Sequence, residues 1–474
     1  MSKHKKEKTK ISFVGHSAEQ VTGSSYLVEY KNEKILVDCG FVQHRNKLTQ
    51  WQLNNENYKF KVKDINSIIL SHFNLDHYNG LPRLYANGCN AKIYANKGSA
   101  EYLRVAFKDS YKIMLSDMAY IEKVYGKKLK QPYTEEDIDK VINSIVEVDY
   151  DIKLNVSDFF TIRLSSAYHI AMSSQIELFV RDGNYRKKLY FSGDLGNINI
   201  NKPFLEPFNK IVNSDIAVVE STYAMNLKNV TEKTRTKDRE KLQTVIRETC
   251  EEKGGKVIIA SFSMQRLQEL MYELYFLYKD SDSKIPIVID TPLGIKISNL
   301  FESLIPTKDV EVWNEIMNWD RIQFINDWED SESCILSSKP MIVIASSGFC
   351  EGGRIRSYIK ENLNNENNTF VFVGYSSEDS LAGIIKNGKK KYIEIDGVSV
   401  KNKAKVVNLM SFSSHMQHNE MLKYYSDMNC QEIYLVHGEK SKQYEFAQLL
   451  EDRYRGKNKT TKVFVPNMND TIEI

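Results

Sequence analysis

The sequence predicts a layered α/β protein whose character changes near residue 215. Before that point, strand-like runs such as YLVEY (26–30), KILVD (34–38) and SIIL (67–70) lead into helical stretches or polar loops, a pattern of packed layers rather than of an all-β sandwich. After it, strands and helices alternate in βαβαβ order, as expected of a mostly parallel sheet covered by helices. A third observation bears on chemistry. Five of the nine histidines, namely His72, His77, His169, His415 and His437, fall at strand ends or in loops flanked by glycine, serine or acids.

Taken in order, residues 11 to about 40 read as short strands, and SIIL is a short buried strand that runs directly into HFNLDHYNG. NAKIYAN (90–96) is a strand. A long helical stretch covers about 98–145, interrupted near Pro132, and TEED restarts it with Thr134 as cap and Asp137 at the third position. Strand signals return in EVDYDIKL, FFTIRLSSA, SQIELFV and KKLYFSG, between 147 and 193. IAVVES (216–221) is a strand, and KDREKLQTVIRETCEEKGG (237–255) is a helix stopped by Gly254 and Gly255. KVIIASF, QRLQELMYELYFLY, KIPIVID, PMIVIASSG, a helix over about 354–363 and TFVFVGY continue the alternation. After about 390 shorter strands resume (KYIEI, KAKVVNLM, EIYLV), with helices at 418–428 and 441–453.

A chain of 474 residues with 42% hydrophobic content can bury a large core and form two or three domains. No segment approaches the eighteen or so apolar residues of a membrane span, and no apolar stretch follows the charged start, so neither a membrane helix nor a secretory signal is expected. Six scattered cysteines without a CxxC pair read as reduced thiols, which places the protein in the cytoplasm. The formal charge is +3, but residues 1–10 hold five lysines against one glutamate, so the rest of the chain sums to −1. Bulk charge therefore does not identify a nucleic-acid binder, and the basic segment 1–10 reads either as a contact for phosphates or as a disordered, solubilising tail. A local basic run through Lys386, Lys389, Lys390, Lys391, Lys401, Lys403 and Lys405 is either a phosphate track or solvated surface.

The string His72-Phe73-Asn74-Leu75-Asp76-His77 leaves a buried strand at once, so its backbone is anchored while its side chains project. Imidazoles and a carboxylate in one short loop are good ligands for a borderline metal such as zinc. Asp194 in YFSGDLG and His437 in IYLVHGE end strands in the same way. Such junctions at one sheet edge are where α/β proteins gather sites. A lone loop histidine is more often simply hydrogen-bonded, but five together point to a metal centre.

The chain resembles the β-CASP branch of the metallo-β-lactamase superfamily, RNA-processing nucleases that include the cleavage-and-polyadenylation endonuclease and its bacterial and archaeal relatives. The resemblance runs from about residue 11 through VTGSSYLVE, ILVDCG, SHFNLDHYNG, AYHIAMSS, YFSGDLG, ESTYA, GGKVIIASFSMQRLQEL, SSGFCEGGR, FVGYSSEDSLAG, FSSHMQH and LVHGE. It implies an αββα sandwich formed by residues 11–215 and 391–474 and interrupted by a parallel-sheet β-CASP domain at 216–390. It implies two zinc ions. His72, Asn74 and His169 would hold one, Asp76, His77 and His437 the other, with Asp194 between them and Asp38 supporting the ligands from behind.

Glu220 and His415 would then act near the leaving group, and Asp76 with them in catalysis, on a water bridging the metals as nucleophile. The substrate implied is single-stranded RNA, cut internally, from the 5′ end, or both. A homodimer is also implied. Arg266, Ser346, Ser347, Gly352, Gly353 and Arg354, on loops after strands of the inserted domain, are candidate contacts for backbone phosphates, although Arg266 equally suits an ion pair with Glu269.

One departure matters most. The family loop reads His-x-His-x-Asp-His, and Asn74 stands where its second histidine would be. An amide oxygen is a weaker zinc ligand than imidazole, so the first site is expected to be weak or empty, or to take manganese. Tyr168, Ala224 and Gln417 are smaller departures. Two readings follow: a metal-dependent ribonuclease, or a catalytically weak RNA-binding scaffold with a degenerate metal site.

Overall fold

The computed structural model describes residues 7–208, 212–227, 230–374, 376 and 380–474. The chain folds as two units. One takes in the described residues of Met1–Ile198, Glu206–Asn229 and His415–Ile474, and the other those of Asn199–Leu205 and Val230–Ser414.

The first unit is an αββα sandwich. One seven-stranded sheet runs in the order Thr471–Glu473, Lys10–Ser12, Tyr26–Tyr30, Glu33–Val37, Ser67–Ile69, Lys92–Asn96 and Ile145–Val148. The other runs Lys462–Phe464, Glu432–Val436, Ile216–Glu220, Tyr185–Phe191, Ser174–Asp182, Phe160–Ser166 and Lys153–Asn155. Period-two alternation sends Tyr26, Val28 and Tyr30, and Ile35 and Val37, into the space between the sheets, where they meet Ile162, Leu164, Ile176, Leu178, Phe191 and Val218. The outer face of the second sheet packs Tyr190, Ala217, Val219 and Leu435 against Met421 and Tyr425 of the helix His418–Asp427 and Phe446 and Leu450 of the helix Lys440–Gly456.

The helical stretch expected over about 98–145, interrupted near Pro132, is two helices. Ser99–Tyr125 ends at Gly126, in the left-handed region at φ 65°, and Glu135–Asn143 starts from a capping box of Thr134 and Asp137.

The second unit holds a six-stranded, wholly parallel sheet in the order Ile322–Phe324, Ile287–Asp290, Met341–Ala345, Lys256–Ala260, Thr369–Val373 and Lys405–Leu409. Four of these strands are buried along their whole length, which is why they read as continuous apolar runs. A hairpin, Tyr392–Ile395 with Val398–Lys401, precedes the last strand.

Three expected boundaries shift. Ile216–Glu220 pairs with Leu189–Phe191 and with Glu432–Val436, so it belongs to the sandwich and not to the insert that was expected to start at 216. Lys405–Leu409 pairs with Thr369–Val373, so the insert continues past 390 and the sandwich resumes at His415. Thr9 is fully buried and Lys10 starts the first strand, so the expected tail of 1–10 is shorter, and its residues 1–6 lie outside the described residues. Tyr375 and residues 377–379 of the FVGYSSEDSLAG block also lie outside them.

Candidate metal centre

Six strand ends of the sandwich deliver the site. The loop after Ser67–Ile69 carries His72, Asn74, Asp76 and His77. His169 follows Phe160–Ser166, Asp194 follows Tyr185–Phe191, Glu220 ends its own strand, and His437 follows Glu432–Val436. His415 joins them through a bridge to Gly196. Asp38 ends the strand Glu33–Val37 and lies behind the loop. Two glycines allow the loops to approach this closely. A Cβ on Gly40 would come within 1.6 Å of the Asp76 carbonyl oxygen, and one on Gly196 within 1.6 Å of that of Tyr168.

Two ligand sets emerge. His72, His169 and Asp194 form one, and Asp76, His77 and His437 the other, all buried. Asp194 faces both: its Oδ2 lies 3.5 Å from His72 Nε2 and 3.7 Å from His169 Nε2, and its Oδ1 lies 3.5 Å from His77 Nε2 and 3.6 Å from His437 Nε2. His437 Nε2 is 3.2 Å from Asp76 Oδ2 and 3.3 Å from His77 Nε2.

These spacings fit a metal. Ligand atoms around a tetrahedral zinc at about 2.0–2.2 Å stand roughly 3.3–3.6 Å from one another. The buried atoms His72 Nε2 and Asp194 Oδ1 have no hydrogen-bond partner among the described residues, which two converging polar groups tolerate only when something else satisfies them.

The supporting contacts aim the imidazoles. His77 Nδ1 donates to Asp38 Oδ2 at 2.8 Å, and the same carboxylate accepts from Ser71 N and Oγ, both at 2.7 Å. His437 Nδ1 meets Thr222 Oγ1 at 2.9 Å. Each bond engages Nδ1 and turns Nε2 into the site, the arrangement that would leave an Nε2 lone pair for a metal.

The electrostatics are those of a charge cluster awaiting a cation. Burial and the neighbouring His77 push the His72 imidazole down to about 3, so it is neutral. Burial also opposes charge on His77, but the Asp194 and Asp38 carboxylates outweigh it and hold the ring well above its ordinary range. Burial likewise opposes ionisation of Asp194, and His437, His77 and His72 overcome it and keep the carboxyl well below the usual carboxylate range.

Asn74 faces this centre as the sequence suggests. Its amide Nδ2 lies 3.2 Å from His169 Nε2. Glu220 and His415 form a pair of their own: His415 Nδ1 is 3.2 Å from Glu220 Oε1, which also accepts from Leu195 N at 2.8 Å, while Thr222 N donates to Glu220 Oε2 at 3.1 Å. His415 Nε2 looks toward Asp194 Oδ2, 3.9 Å away.

Among the smaller departures, Ala224 is fully buried and its carbonyl accepts from His418, and Gln417 donates to the His415 carbonyl at 2.9 Å. Ser71 and Thr222 were not singled out from the sequence. Their only signal there was adjacency, Ser71 to His72 and Thr222 within ESTYA.

The remaining predicted residues are not in this cluster. Arg354 pairs with Asp290 and donates to the Ile325 and Asn326 carbonyls, so its guanidinium is spent on tying a helix start to neighbouring strand ends. Ser346 accepts from Thr291 Oγ1 at 2.9 Å, and Ser347 Oγ meets the Gly352 carbonyl at 3.3 Å. Gly353 has a φ of 73°, a turn that favours glycine. Arg266 is buried against Ser414. Of the basic run, Lys386 donates to Gly374 O and Ser376 Oγ, Lys405 pairs with Glu248 at 2.8 Å, and Lys389, Lys390 and Lys391 are exposed.

Comparison with known proteins agrees with this geometry. Residues 18–215 match the model of the metallo-beta-lactamase superfamily, 267–385 that of the Beta-Casp domain, and 399–466 that of the Zn-dependent metallo-hydrolase RNA specificity domain. The chain is 26% identical over 443 residues to Ribonuclease TTHA0252 of Thermus thermophilus, covering 92% of this chain and 94% of that protein. It is 26% identical over 481 residues to Transcription termination factor FttA of Methanocaldococcus jannaschii, covering 98% of this chain and 72% of that one. An RNase J-like protein of the same archaeon is 26% identical, covering 91% and 93% of the two chains. A crystal structure of a protein of unknown function from Enterococcus faecalis shares the fold, with a TM-score of 0.56 and 12% identity over 98% of this chain and 100% of that one.

Proposed function

Because the chain belongs to the metallo-β-lactamase superfamily and carries a β-CASP domain, we propose that it hydrolyses phosphodiester bonds of single-stranded RNA in a metal-dependent reaction. The observation that carries the proposal is the pair of buried ligand sets facing one carboxylate, Asp194, beside the His415–Glu220 pair. His72, His169 and Asp194 would hold one ion and Asp76, His77, His437 and Asp194 the other. When bound, two such ions polarise the phosphoryl oxygens and make water a potent nucleophile at neutral pH.

The chain's own groups supply the rest. The water oxygen forms a bond to phosphorus as the P–O3′ bond breaks, leaving a 5′-phosphate and a 3′-hydroxyl. Asp76 would take the proton of the attacking water. His415, held through Nδ1 by Glu220, presents Nε2 to give a proton to the departing 3′-oxygen. Glu220 is itself fixed by two backbone amides, so the imidazole is oriented by the sandwich framework.

We assign zinc to the Asp76, His77 and His437 set. We assign a weaker, more exchangeable ion, zinc or manganese, to the set beside Asn74, because an amide contributes less to a zinc site than an imidazole. Backbone phosphates would meet Ser347 and the Gly352–Gly353 turn. Six free cysteines support a reducing compartment, which we take to be the cytoplasm. No described helix is long and apolar enough to cross a membrane. We carry a homodimer over from the family, and sedimentation would check it.

The test is metal content per chain with cleavage of a 5′-labelled single-stranded RNA, after loading with zinc or with manganese, for the native chain, Asp194→Ala and Asn74→His. Cleavage by the native chain that Asp194→Ala abolishes supports the proposal, and the product ladder separates internal from 5′-end cutting. The alternative, an RNA-binding scaffold, is favoured by the Asn74 amide facing His169. It would be supported by cleavage only in Asn74→His.

A further inference from the structure

His415 is delivered by the segment Ser411–Ser414, and that segment is held with unusual thoroughness. Ser411 N and Oγ both donate to Asp238 Oδ2, at 2.8 and 2.7 Å, and its carbonyl accepts from Arg235 Nη1 at 3.2 Å. The Arg235 guanidinium lies over the Phe412 ring, 4.3 Å from its centroid. The Ser414 carbonyl accepts from Lys202 Nζ at 2.8 Å, and Ser414 Oγ accepts from Arg266 Nη2 at 2.5 Å. The next residue in the chain is His415.

Arg266 and Lys202 both act on Ser414, the residue before the histidine, and Arg266 is the one that fixes its side chain. It starts the helix Arg266–Tyr278 and is 4% exposed. Glu269 Oε2 lies 3.9 Å from Arg266 Nε and the same distance from Arg235 Nη1, while Arg235 has a closer partner in Glu273 at 2.7 Å. Gly374 makes room for it: a Cβ there would stand 2.9 Å from Arg266 Nη1, and the φ of 80° already favours glycine. A buried guanidinium is a costly way merely to hold a loop, since apolar packing would do so without desolvating a charge. What it adds is direction, a planar fork that fixes its acceptor in orientation as well as distance.

We propose that Arg266 is a positioning residue for His415: by fixing Ser414 Oγ it sets where the imidazole stands when the leaving oxygen needs a proton. The inference rests on the reading of His415 as that proton donor. It also replaces the sequence expectation that Arg266 touches a backbone phosphate, because the side chain is buried and engaged within the protein.

The experiment compares two RNA oligonucleotides with the metal-loaded full chain, in single-turnover runs for the cleavage step and in steady-state runs for KM and kcat. One has ordinary linkages, and the other has sulfur in place of the 3′-oxygen at one linkage. A thiolate departs without a proton, so only the ordinary linkage depends on His415. His415→Ala should lose on the order of 100-fold or more on the ordinary linkage and little on the sulfur linkage. Arg266→Gln should show the same selectivity with a loss of roughly 10- to 100-fold, Ser414→Ala a smaller selective loss, and Arg266→Lys a partial recovery, all with KM unchanged.

Equal losses on both linkages in Arg266→Gln and Ser414→Ala, with His415→Ala still selective, overturn the positioning role alone. A raised KM with unchanged kcat in Arg266→Gln also overturns it, in favour of a phosphate contact. If His415→Ala is itself unselective, the reading of His415 fails and the positioning role fails with it. No cleavage of either oligonucleotide by the native chain refutes the nuclease. Ser414→Ala removes only a hydroxyl, so it decides the matter if Arg266→Gln does not fold.

Discussion

Asp38→Asn isolates the contribution of the residue behind the proposed metal ligands. Asp38 has a φ of 58°, and asparagine tolerates the left-handed region as well as aspartate does, so the backbone is not disturbed. The charge and one acceptor are lost. Three donors converge on the carboxylate: Ser71 N on Oδ1, and Ser71 Oγ and His77 Nδ1 on Oδ2. An amide can keep only one side as oxygen. The better choice retains the oxygen opposite the two donors and sets its NH2 against Ser71 N–H, leaving a buried donor unpaired at a cost of about 1–3 kcal/mol.

His77 also loses a charged partner that raises the basicity of its Nε2, the atom turned toward Asp194 and His437. Replacing such a partner weakens metal affinity about 10- to 100-fold, or about 1.4–2.8 kcal/mol. The assay is zinc competition against a chromophoric chelator, run beside denaturant unfolding of the metal-free protein. Zinc affinity within about twofold of native, with stability reduced, would refute the reasoning and leave Asp38 a purely structural residue.

Gly196→Ala would push a methyl group against the Tyr168 carbonyl, so it should displace His169, lower the bound metal by up to one ion per chain and cost about 1–3 kcal/mol or more; metal analysis and thermal melting check this. Glu273→Gln should cost about 3–5 kcal/mol at pH 7, because the buried Arg235, whose Nε and Nη2 both donate to Glu273 Oε1, loses its nearest negative charge. Burial opposes ionisation of Glu273, but its bonds to Arg239 and Arg235 outweigh burial and lower its pKa below 4.5. That stabilisation is therefore fully present above pH 4.5 and lost as pH falls through the lowered value, so unfolding curves of native and variant should converge in acid. Thr134→Ala removes one half of a capping box and should cost about 1 kcal/mol, read as faster hydrogen exchange in the helix Glu135–Asn143.

The site was legible because its chemistry is local. A buried strand followed at once by a polar loop leaves the side chains of His72, Asp76 and His77 nowhere to go but the sheet edge, and the same holds for Asp194 and His437. Pairing is not local. KVVNL alternates equally well in either sheet, and only its register against Thr369–Val373 places it in the second unit. Arg354 finds its carboxylate 64 positions away, at Asp290, and Arg235 finds Ser411 176 positions away. A glycine-rich loop ending in arginine therefore reads as a phosphate cradle from sequence, although its arginine is already paired.

Asn74 is the residue on which sequence and structure together say more than either does alone. It occupies the position before the helix Leu75–Tyr78, where an asparagine side chain normally caps the first turn and contributes about 0.5–2 kcal/mol. No such cap bond forms, and the amide turns instead to His169 Nε2. The side chain thus bonds to His169 and not to the helix. Oriented this way, Nδ2–H donates to the lone pair that a metal would use. A half-turn of the amide would bring Oδ1 to the same place as a ligand. A metal entering beside His72 and His169 therefore displaces a hydrogen bond of about 0.5–1.5 kcal/mol, which alone weakens it roughly two- to tenfold. An imidazole at 74 would offer a stronger donor and no competing amide. The weaker first site proposed above would then follow from one side chain, through the competing amide as well as through ligand strength.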